Sequence, residues 1–387
     1  MSEIVRVAAR GEGVTEDGRY VPLAAPGDRI GADGAILPGP HHQAPPCRHF
    51  PECGGCQLQH LDDAAWSGFL TDRIAGALAA HGIDAPIRPP ALSPPRTRRR
   101  ATLHFDRGRL GFTAEGSHQI IDLRECHVLA PELFALVAPL RRLLQRFGVK
   151  RRIDVHLTLA DQGPDVLIGT APEGLAAAEA LTAFAIEHRL ARLAVDDGFG
   201  PETRWEPEPA TVTFGGTAVP LPPAAFLQAT REGEAALLSA VGEAVGEAGT
   251  VADLFAGLGT FALALPGRVY AAEGARDAIL ALKAGAARAG RAVFAEHRDL
   301  YRRPLTTAEL DRFDAIVLDP PRAGARDQAA ALAAAPVKAI AYVSCNPSSF
   351  ARDAETLRQG GWRLDWVQPV GQFRWSTHVE LAGRFVR

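Results

Sequence analysis

Residues 216–387 alternate between short apolar runs and stretches with helical spacing, and this alternation constrains the possible folds more than any other feature. The apolar runs read TVADLF, RVYAAE, AVFAEHRDL, FDAIVLD and AIAYVS, followed by WRLDWVQPV and HVELAGRFV. Strands that alternate with helices form a parallel sheet covered by helices on both faces. The pattern therefore predicts an α/β fold with a doubly wound domain over these residues.

Acidic residues stand at the ends of these runs. Asp253 precedes a Gly-x-Gly turn in DLFAGLGTF, and Glu273, Asp299 and Asp319 end the next three runs. Open α/β sheets bind ligands at the carboxyl ends of their strands, and a helix after the turn presents free N–H groups. An acid at the second strand end is placed for ribose hydroxyls. Any one acid can cap a turn instead, but the regular series predicts an adenosyl cofactor that lacks a pyrophosphate.

Cys345 directly follows the run AIAYVS and precedes a helix whose expected N-cap is Ser348 or Ser349. A free cysteine in such a place is more often a buried apolar residue than a reactive group. Two features of the sequence favour a catalytic role for Cys345. The DPPR sequence that starts at Asp319 forms a stiff loop able to line a planar pocket. Glu380, near the start of the last strand, is a candidate base, although a lone Glu more often forms a salt bridge.

Three cysteines are crowded into the sequence CRHFPECGGCQLQHL, namely Cys47, Cys53 and Cys56. Such crowding is typical of a metal site that needs a fourth ligand, and Cys126 is the candidate apart from Cys345. Four cysteines hold either zinc or a 4Fe-4S cluster. Zinc ribbons favour two CxxC pairs, whereas this chain has one, and the spacing differs from that of radical enzymes. Four unligated thiols are the remaining interpretation, which the crowding disfavours.

The rest of the 387-residue sequence predicts a small β module at residues 1–45 and an α+β region at 46–215. From Pro86 to Arg152 there are 14 Lys and Arg against 5 Asp and Glu, although the whole chain has a net charge of −3. A basic face on an acidic protein fits a polyanionic partner, and a solvated Arg-rich surface fits equally well. Since no signal peptide or membrane span is recognisable, we expect a soluble cytoplasmic protein.

Four motifs, DLFAGLGTF, LDPPRAGA, YVSCNPSSFARD and THVE, occur in an order that resembles the RNA uracil-5-methyltransferases. These enzymes use S-adenosylmethionine to make 5-methyluridine in tRNA or ribosomal RNA. The cysteine segment with Cys126 resembles the 4Fe-4S site of the ribosomal-RNA members, and the first strands resemble a shortened TRAM domain, an RNA-binding barrel. The resemblance implies a TRAM-like β module at 1–45, an iron–sulfur and α+β RNA-binding domain at 46–215, and a Rossmann-like methyltransferase domain at 216–387.

The resemblance also implies roles for individual residues. Cys345 is the expected nucleophile, which adds to C6 of the uracil and so lets C5 take the methyl group, and Glu380 is the expected base for the C5 proton. The chain departs from the family pattern at Thr230 and Thr260, where Asn is common. The matching positions for the cofactor are Gln228, Phe255, Thr260, Glu273, Asp299 and Asp319, and those for the cluster are Cys47, Cys53, Cys56 and Cys126.

Two other classes of methyltransferase fit the sequence motifs less well. RNA cytosine-5 enzymes carry Pro-Cys where this chain has PPR, and amino-methylating enzymes prefer an aromatic residue at the position of Arg322. The expected reaction is therefore methylation of C5 of a uridine in RNA, in ribosomal RNA rather than tRNA, by a monomeric enzyme. The open alternatives are a tRNA uridine-5-methyltransferase and a non-catalytic iron–sulfur RNA-binding protein.

Overall fold

The computed structural model describes residues 2–387, which divide into two compact units. The first unit contains the residues up to Phe69, together with Ser93–Ala210 and Phe373–Thr377. The second unit contains Leu70–Leu92, Thr211–Gln372 and His378–Arg387. Among residues 2–387, no helix combines the length and the apolar character needed to cross a membrane. The limits predicted above for three domains stay a prediction.

A small antiparallel sheet begins the chain, which confirms the predicted β module. Its strands lie in the order β3-β2-β1-β4-β5 and bury Ile4, Ala24 and Ile30 in a core of their own. Short strands fit the frequent glycines and prolines of this segment, which interrupt the extended backbone. The five strands are β1 (Ser2–Val7), β2 (Gly13–Thr15), β3 (Tyr20–Val21), β4 (Arg29–Ile30) and β5 (Ile36–Leu37).

The middle of the chain has an α+β fold, as predicted. Its elements are α1 (Asp63–Ala79), β6 (Ala91–Leu92), β7 (Arg100–Asp106), β8 (Arg109–Gly111), α2 (Pro131–Ala135), α3 (Val137–Arg146), β9 (Ile153–Ala160), β10 (Gly163–Ile168), α4 (Leu175–Glu187), β11 (Arg192–Val195) and β12 (Glu202–Trp205). Six of these strands form a sheet in the order β12-β11-β10-β9-β7-β8. Helices α2, α3 and α4 contact this sheet and bury apolar side chains such as Leu133, Leu140 and Phe184 in one core.

Most of the remaining elements alternate between strands and helices; the exceptions are an initial hairpin and two later pairs of consecutive strands. They are β13 (Thr211–Phe214), β14 (Thr217–Pro220), α5 (Arg231–Val245), β15 (Thr250–Leu254), β16 (Arg268–Glu273), α6 (Arg276–Arg288), β17 (Val293–His297), α7 (Thr307–Leu310), β18 (Ala315–Leu318), α8 (Arg326–Ala334), β19 (Ala339–Ser344), α9 (Pro347–Gln359), β20 (Arg363–Gly371) and β21 (Glu380–Val386). Together with β6, the strands from β15 onward form one eight-stranded sheet.

This sheet has the order β17-β16-β15-β18-β19-β21-β20-β6. The first five strands are parallel, whereas β21 runs antiparallel to both β19 and β20. The strand order reverses direction at β15, because β16 and β17 lie on one side of it and β18 and β19 on the other. This arrangement confirms the predicted doubly wound, Rossmann-like domain.

The stretch after β15 differs from the prediction. Residues 257–264 form consecutive turns instead of the helix expected after the Gly-x-Gly sequence. The carboxylate of Asp253 accepts a hydrogen bond from Ala262 N at 2.8 Å, and Gly257 and Gly259 have φ values of 56° and 93°. Left-handed backbone angles interrupt an α-helix, so the expected helix N-terminus does not form here.

The helix after Cys345 begins two or three residues earlier than predicted, since Ser348 or Ser349 was the expected N-cap. Its N-cap is Asn346, whose side-chain oxygen accepts a hydrogen bond from Ser348 N at 3.2 Å. Pro347 occupies the first helical position, which suits a residue without an N–H group. Because asparagine caps a helix as well as serine does, the capping preference alone did not select the right residue.

Candidate active site and cysteine cavity

Four parallel strands of the second unit end at one edge of the sheet. β16, β15, β18 and β19 are consecutive neighbours, and each adjacent pair is parallel. Asp253 is the penultimate residue of β15 and Glu273 ends β16, whereas Asp319 follows β18 and Cys345 follows β19. These side chains are far apart in the sequence, and the sheet brings them to the same edge.

Glu380 comes to this edge from the opposite direction. It is the first residue of β21, which runs antiparallel to β19 and pairs Leu381 with Ser344. Since the start of an antiparallel strand lies beside the end of its neighbour, Glu380 lies near Cys345. The Glu380 side chain is buried. The structure thus brings together the two residues predicted as nucleophile and base.

Cys345 is half-buried among acidic side chains. Burial raises the pKa of its thiol to about 11, and the negative charges of Glu380 and Asp319 contribute to the increase. The charge of Arg322 acts in the opposite direction. The thiol is therefore protonated at neutral pH, and any positive charge that enters this site favours the thiolate.

Asp253, Asp319 and Glu273 form an acidic group. Burial and the charge of Asp319 raise the pKa of Asp253 to about 8, while burial and the charge of Glu273 raise the pKa of Asp319 to about 7. Oδ1 of the fully buried Asp253 has no hydrogen-bond partner within residues 2–387. A buried acceptor of this kind and mutually repelling carboxylates fit a ligand with positive charge and hydroxyl donors. S-adenosylmethionine offers both.

The loop after β15 is fixed by Glu273. Its carboxylate accepts hydrogen bonds from Gly257 N at 2.9 Å and from Ala275 N at 2.6 Å. Phe255, at the start of this loop, has a φ of 66°, which is uncommon for a residue with a side chain. Its ring centroid lies 5.5 Å from that of Tyr301. Backbone strain of this type is concentrated at ligand-binding sites.

Two further predicted cofactor residues, Asp299 and Thr260, lie outside the helices and strands. Asp299 comes shortly after β17, which is parallel to β16, so it belongs to the same edge of the sheet. Its Oδ1 accepts hydrogen bonds from Tyr301 N at 3.0 Å and Arg302 N at 3.3 Å. Thr260 lies within the turns that follow β15. Asp299 therefore joins the other strand-end acids, whereas Thr260 is placed by the irregular loop.

A buried pair of glutamines connects two of the acids. Gln228 donates from Nε2 to Asp319 Oδ2 at 3.4 Å, and its Oε1 accepts from Gln372 Nε2 at 2.8 Å. Gln372 Nε2 also donates to Glu380 Oε2 at 3.1 Å. Sequence reasoning identified Gln228 but missed Gln372. The available signal was its position directly after β20, at the edge where β21 begins.

The other four cysteines line one cavity in the first unit. The segment between them turns tightly where Gly54 donates its N–H to Thr113 O at 2.9 Å. A Cβ atom at Gly54 would lie 2.9 Å from that oxygen, so the close approach needs glycine. Apolar residues such as Phe112 and Leu123, together with the polar residues Gln59, Glu125 and His127, complete the cavity wall. The thiols of the cavity belong to Cys47, Cys53, Cys56 and Cys126.

All four thiols of this cysteine cavity have raised pKa values. Burial raises the pKa of Cys53 to about 11 and that of Cys56 to about 12, and it also raises those of Cys47 and Cys126. The charges of the other cavity cysteines contribute at Cys53 and Cys56. The guanidinium of Arg98 is within electrostatic reach of Cys56 and Cys126. Thiolates in such a place need positive charge nearby.

The described residues show no preformed metal site at the cavity cysteines. Within residues 2–387, no group of three or more His, Cys, Asp or Glu side chains is arranged so that it could hold a metal ion. A single zinc ion needs four ligands at roughly 2.0–2.3 Å from its centre. The described residues therefore show neither the zinc site nor the cluster site that the sequence left open.

Comparisons with known proteins agree with this geometry. A family model described as tRNA (uracil-5-)-methyltransferase matches residues 224–386. An uncharacterized RNA methyltransferase of Zymomonas mobilis is 54% identical, and the match covers 100% of both chains. The 23S rRNA (uracil(1939)-C(5))-methyltransferase RlmD of Chromohalobacter salexigens is 32% identical, over 97% of this chain and 87% of that protein.

The fold has a counterpart among solved structures. The tRNA (uracil-54, C5)-methyltransferase of Pyrococcus abyssi, in complex with S-adenosyl-L-homocysteine, matches with a TM-score of 0.78. The match covers 100% of this chain and 99% of that one, at 21% sequence identity. At this identity the likeness establishes the fold.

The doubly wound sheet and its acidic strand ends define an S-adenosylmethionine-dependent methyltransferase. With full-length relatives among the RNA methyltransferases, the chain belongs to the RNA uracil-5-methyltransferase family. The predicted family, fold class and enzyme class are confirmed, as are S-adenosylmethionine as cofactor and RNA as substrate. The alternative of a non-catalytic RNA-binding protein does not fit this membership.

Proposed function

We propose that this enzyme methylates C5 of a uridine in ribosomal RNA through a covalent bond between Cys345 and C6 of the base. The observation that carries the proposal is the position of Cys345 beside Glu380, at the edge where the strand-end acids meet. A thiol and a carboxylate at one site supply the nucleophile and the base that this reaction requires.

Both groups are needed because C5 of uracil is a weak nucleophile. The thiolate of Cys345 adds to C6, and the electron pair of the C5=C6 bond moves toward C5 and the O4 carbonyl. Bound S-adenosylmethionine supplies the methyl group that C5 takes. Glu380 then removes the C5 proton, the C5=C6 bond forms again, and the bond between C6 and Cys345 breaks to return the thiolate.

The proposed cofactor residues are those at the edge of the parallel strands. Glu273 is the acid at the second strand end, the usual partner of ribose hydroxyls. The raised pKa values of Asp253 and Asp319 support a ligand with positive charge at this edge. Phe255, Asp299, Thr260 and Gln228 complete the proposed set. We expect Glu273→Ala to weaken S-adenosylmethionine binding in calorimetry, while circular dichroism shows an unchanged fold.

A 4Fe-4S cluster is the proposed occupant of the cysteine cavity. In such a cluster each cysteine binds a different iron atom, so the four thiols surround a group instead of a single ion. The shared cavity supports this proposal, with Cys47, Cys53, Cys56 and Cys126 as ligands. Anaerobically purified protein should contain about four iron and four sulfide per chain. Colourless protein with stoichiometric zinc would contradict the proposal.

Ribosomal RNA is the proposed substrate because the 32% identical relative is named as a 23S ribosomal RNA enzyme. The Arg-rich segment from Pro86 to Arg152 suits the phosphate backbone, and the target base has to leave its stack to meet Cys345. Transfer RNA is the second candidate. Mapping 5-methyluridine in cells with and without the gene distinguishes the two: loss from 23S ribosomal RNA supports the proposal, and loss from tRNA alone contradicts it. We propose a monomer, which light scattering tests.

A further inference from the structure

Gln372 has three hydrogen bonds that tie it to the active-site edge. It is 2% exposed and lies directly after β20. Its Oε1 accepts from Ala229 N at 2.8 Å, and its Nε2 donates to Gln228 Oε1 at 2.8 Å and to Glu380 Oε2 at 3.1 Å. The two N–H groups of one side-chain amide therefore serve a glutamine and the proposed base.

The orientation of this amide is fixed by its partners. A main-chain N–H such as that of Ala229 can only donate, so it requires the oxygen of Gln372. With the amide turned over, its NH2 group would face the N–H of Ala229, and its oxygen would face the Glu380 carboxylate. Packing adds to this constraint, because a Cβ atom at Gly233 would lie 2.5 Å from the Gln372 Cβ. The side-chain amide of Gln372 thus has one favourable orientation, in which its NH2 group donates a hydrogen bond to Glu380.

A donor in this place has two effects on a carboxylate base. It stabilises the ionised form, which is the form that accepts a proton. It also holds one carboxylate oxygen in a fixed position, which limits the rotation of the group. Gln228 acts in the same way on Asp319, although at the longer distance of 3.4 Å. Each amide thus directs one donor toward a carboxylate of the proposed site.

We propose that Gln372 is a positioning residue for the removal of the C5 proton by Glu380. The inference rests on the proposed roles of Cys345 and Glu380 and adds a residue that acts through the base. In the step concerned, the C5 proton passes to a carboxylate oxygen of Glu380, the C5=C6 bond forms, and the C6–S bond breaks to release Cys345. Gln372 takes no part in forming the adduct, so its loss slows release alone.

The test uses two variants and a matched control in the full-length holoenzyme. Gln372→Met keeps the length of the side chain and removes the donor. Gln372→Glu keeps an acceptor for Ala229 N and places a second carboxylate against Glu380. It replaces Gln372→Met in the test if the methionine variant folds poorly. Gln368→Met makes the same change in β20, where Gln368 donates to the main-chain oxygens of Pro89 and Pro369. We expect this control to retain wild-type turnover.

The readout is the covalent complex between protein and RNA, followed in time on denaturing gels with substrate RNA and S-adenosylmethionine. We expect Gln372→Met to form the complex at the wild-type rate and to resolve it about 10- to 100-fold more slowly, the loss typical of a hydrogen bond to a charged group. Gln372→Glu should resolve it more slowly still. Wild-type decay in both variants, or lost activity without accumulated complex in folded protein, would overturn the role of Gln372.

Glu380→Gln separates this inference from the proposed function. If Glu380→Gln traps the complex while the Gln372 variants resolve it normally, the inference about Gln372 fails and the proposed function stands. If neither Glu380→Gln nor the Gln372 variants form a complex, the proposed roles of Cys345 and Glu380 fail, and the inference fails with them.

Discussion

The cysteine cavity and the end of β19 place thiols in similar burial but among different neighbours. Burial is the main cause that raises the pKa of Cys53 and that of Cys345, each to about 11. The charges that raise the pKa of Cys53 further belong mainly to other cysteines, whereas those at Cys345 belong to Glu380 and Asp319. The pKa of a thiol therefore does not separate the proposed cluster ligand from the proposed nucleophile. The neighbouring groups do.

These neighbours indicate what each site needs. Thiols whose pKa values are raised by burial, and at Cys53, Cys56 and Cys126 also by neighbouring cysteines, are stabilised together when their protons are replaced by positively charged iron. A thiol beside carboxylates has a base within reach and is activated by a positively charged ligand. The distinction between the two regions is disproved if a substitution in one region produces the effect expected of the other.

The largest expected effect is the loss of catalysis in Cys345→Ala. Tritium release from RNA that contains 5-³H-uridine should fall by about 10⁴-fold or more, since the nucleophile is removed. The iron content should stay at the wild-type level, because Cys345 is not one of the cavity cysteines. Tritium release that survives the substitution would contradict the assignment of the nucleophile.

The mirror experiment is Cys56→Ala in the cysteine cavity. We expect most of the iron to be lost. The affinity of the cavity for iron should fall by more than the roughly 10- to 100-fold that is typical of losing an outer-shell partner of a metal ligand. Iron analysis and the visible absorption of anaerobic protein measure this. Cys345→Ala is the matched control for removing one thiol, and equal iron loss in both variants would remove the distinction between the two regions.

A smaller effect is expected from Glu380→Gln on the thiol of Cys345. Removing the negative charge should lower the pKa of Cys345, because that charge contributes to its increase. A lower pKa increases the fraction of thiolate at pH 8, so alkylation of Cys345 by iodoacetamide should become faster. Mass spectrometry of the peptides gives the rate at each cysteine. The rate at Cys53 should not change, and an equal acceleration there would show that the variant loosens the whole protein.

The smallest effect concerns stability. The pKa of Asp253 is about 8 in the folded protein against an ordinary value of 3.8, so the folded state holds a proton that the unfolded chain releases. This contribution is complete below pH 3.8 and is lost as the pH rises through 8. Between pH 6.5 and 8 it should lower the free energy of unfolding of the cofactor-free protein by up to about 2 kcal/mol.

Asp253→Asn tests this dependence. The substituted side chain keeps an acceptor for Ala262 N and has no carboxyl proton, so the decrease between pH 6.5 and 8 should become smaller. Denaturant titrations at several pH values measure it. An unchanged slope would show that Asp253 is ionised in the folded protein, against the direction given by its burial.

Much of the site was predictable because the sheet follows directly from local pattern. Apolar runs alternate with helical stretches, and parallel strands place their carboxyl ends together, so Glu273, Asp319 and Cys345 were expected at one edge before the structure was known. Glu380 is placed at the same edge as long as the last strand runs antiparallel to β19. These inferences depend on the order of residues along the chain.

The features that were missed depend on contacts between distant segments. The helix expected after Gly259 is replaced by turns, in which Ala262 N is held by the buried Asp253. Gln372 has no motif of its own, since its hydrogen bonds go to Ala229, Gln228 and Glu380, which are 8 to 144 residues away. Only the folded sheet brings such partners together, so local pattern does not reveal them.

The covalent role of Cys345 is tested most directly with RNA in which 5-fluorouridine replaces uridine. Fluorine at C5 cannot be removed as a proton, so the last step stops and the bond between Cys345 and C6 persists. With S-adenosylmethionine present, digestion and mass spectrometry should find a nucleotide, carrying an additional methyl group, attached to the peptide that contains Cys345. A nucleotide attached to another residue, or no attachment in enzyme that methylates ordinary RNA, would contradict the account.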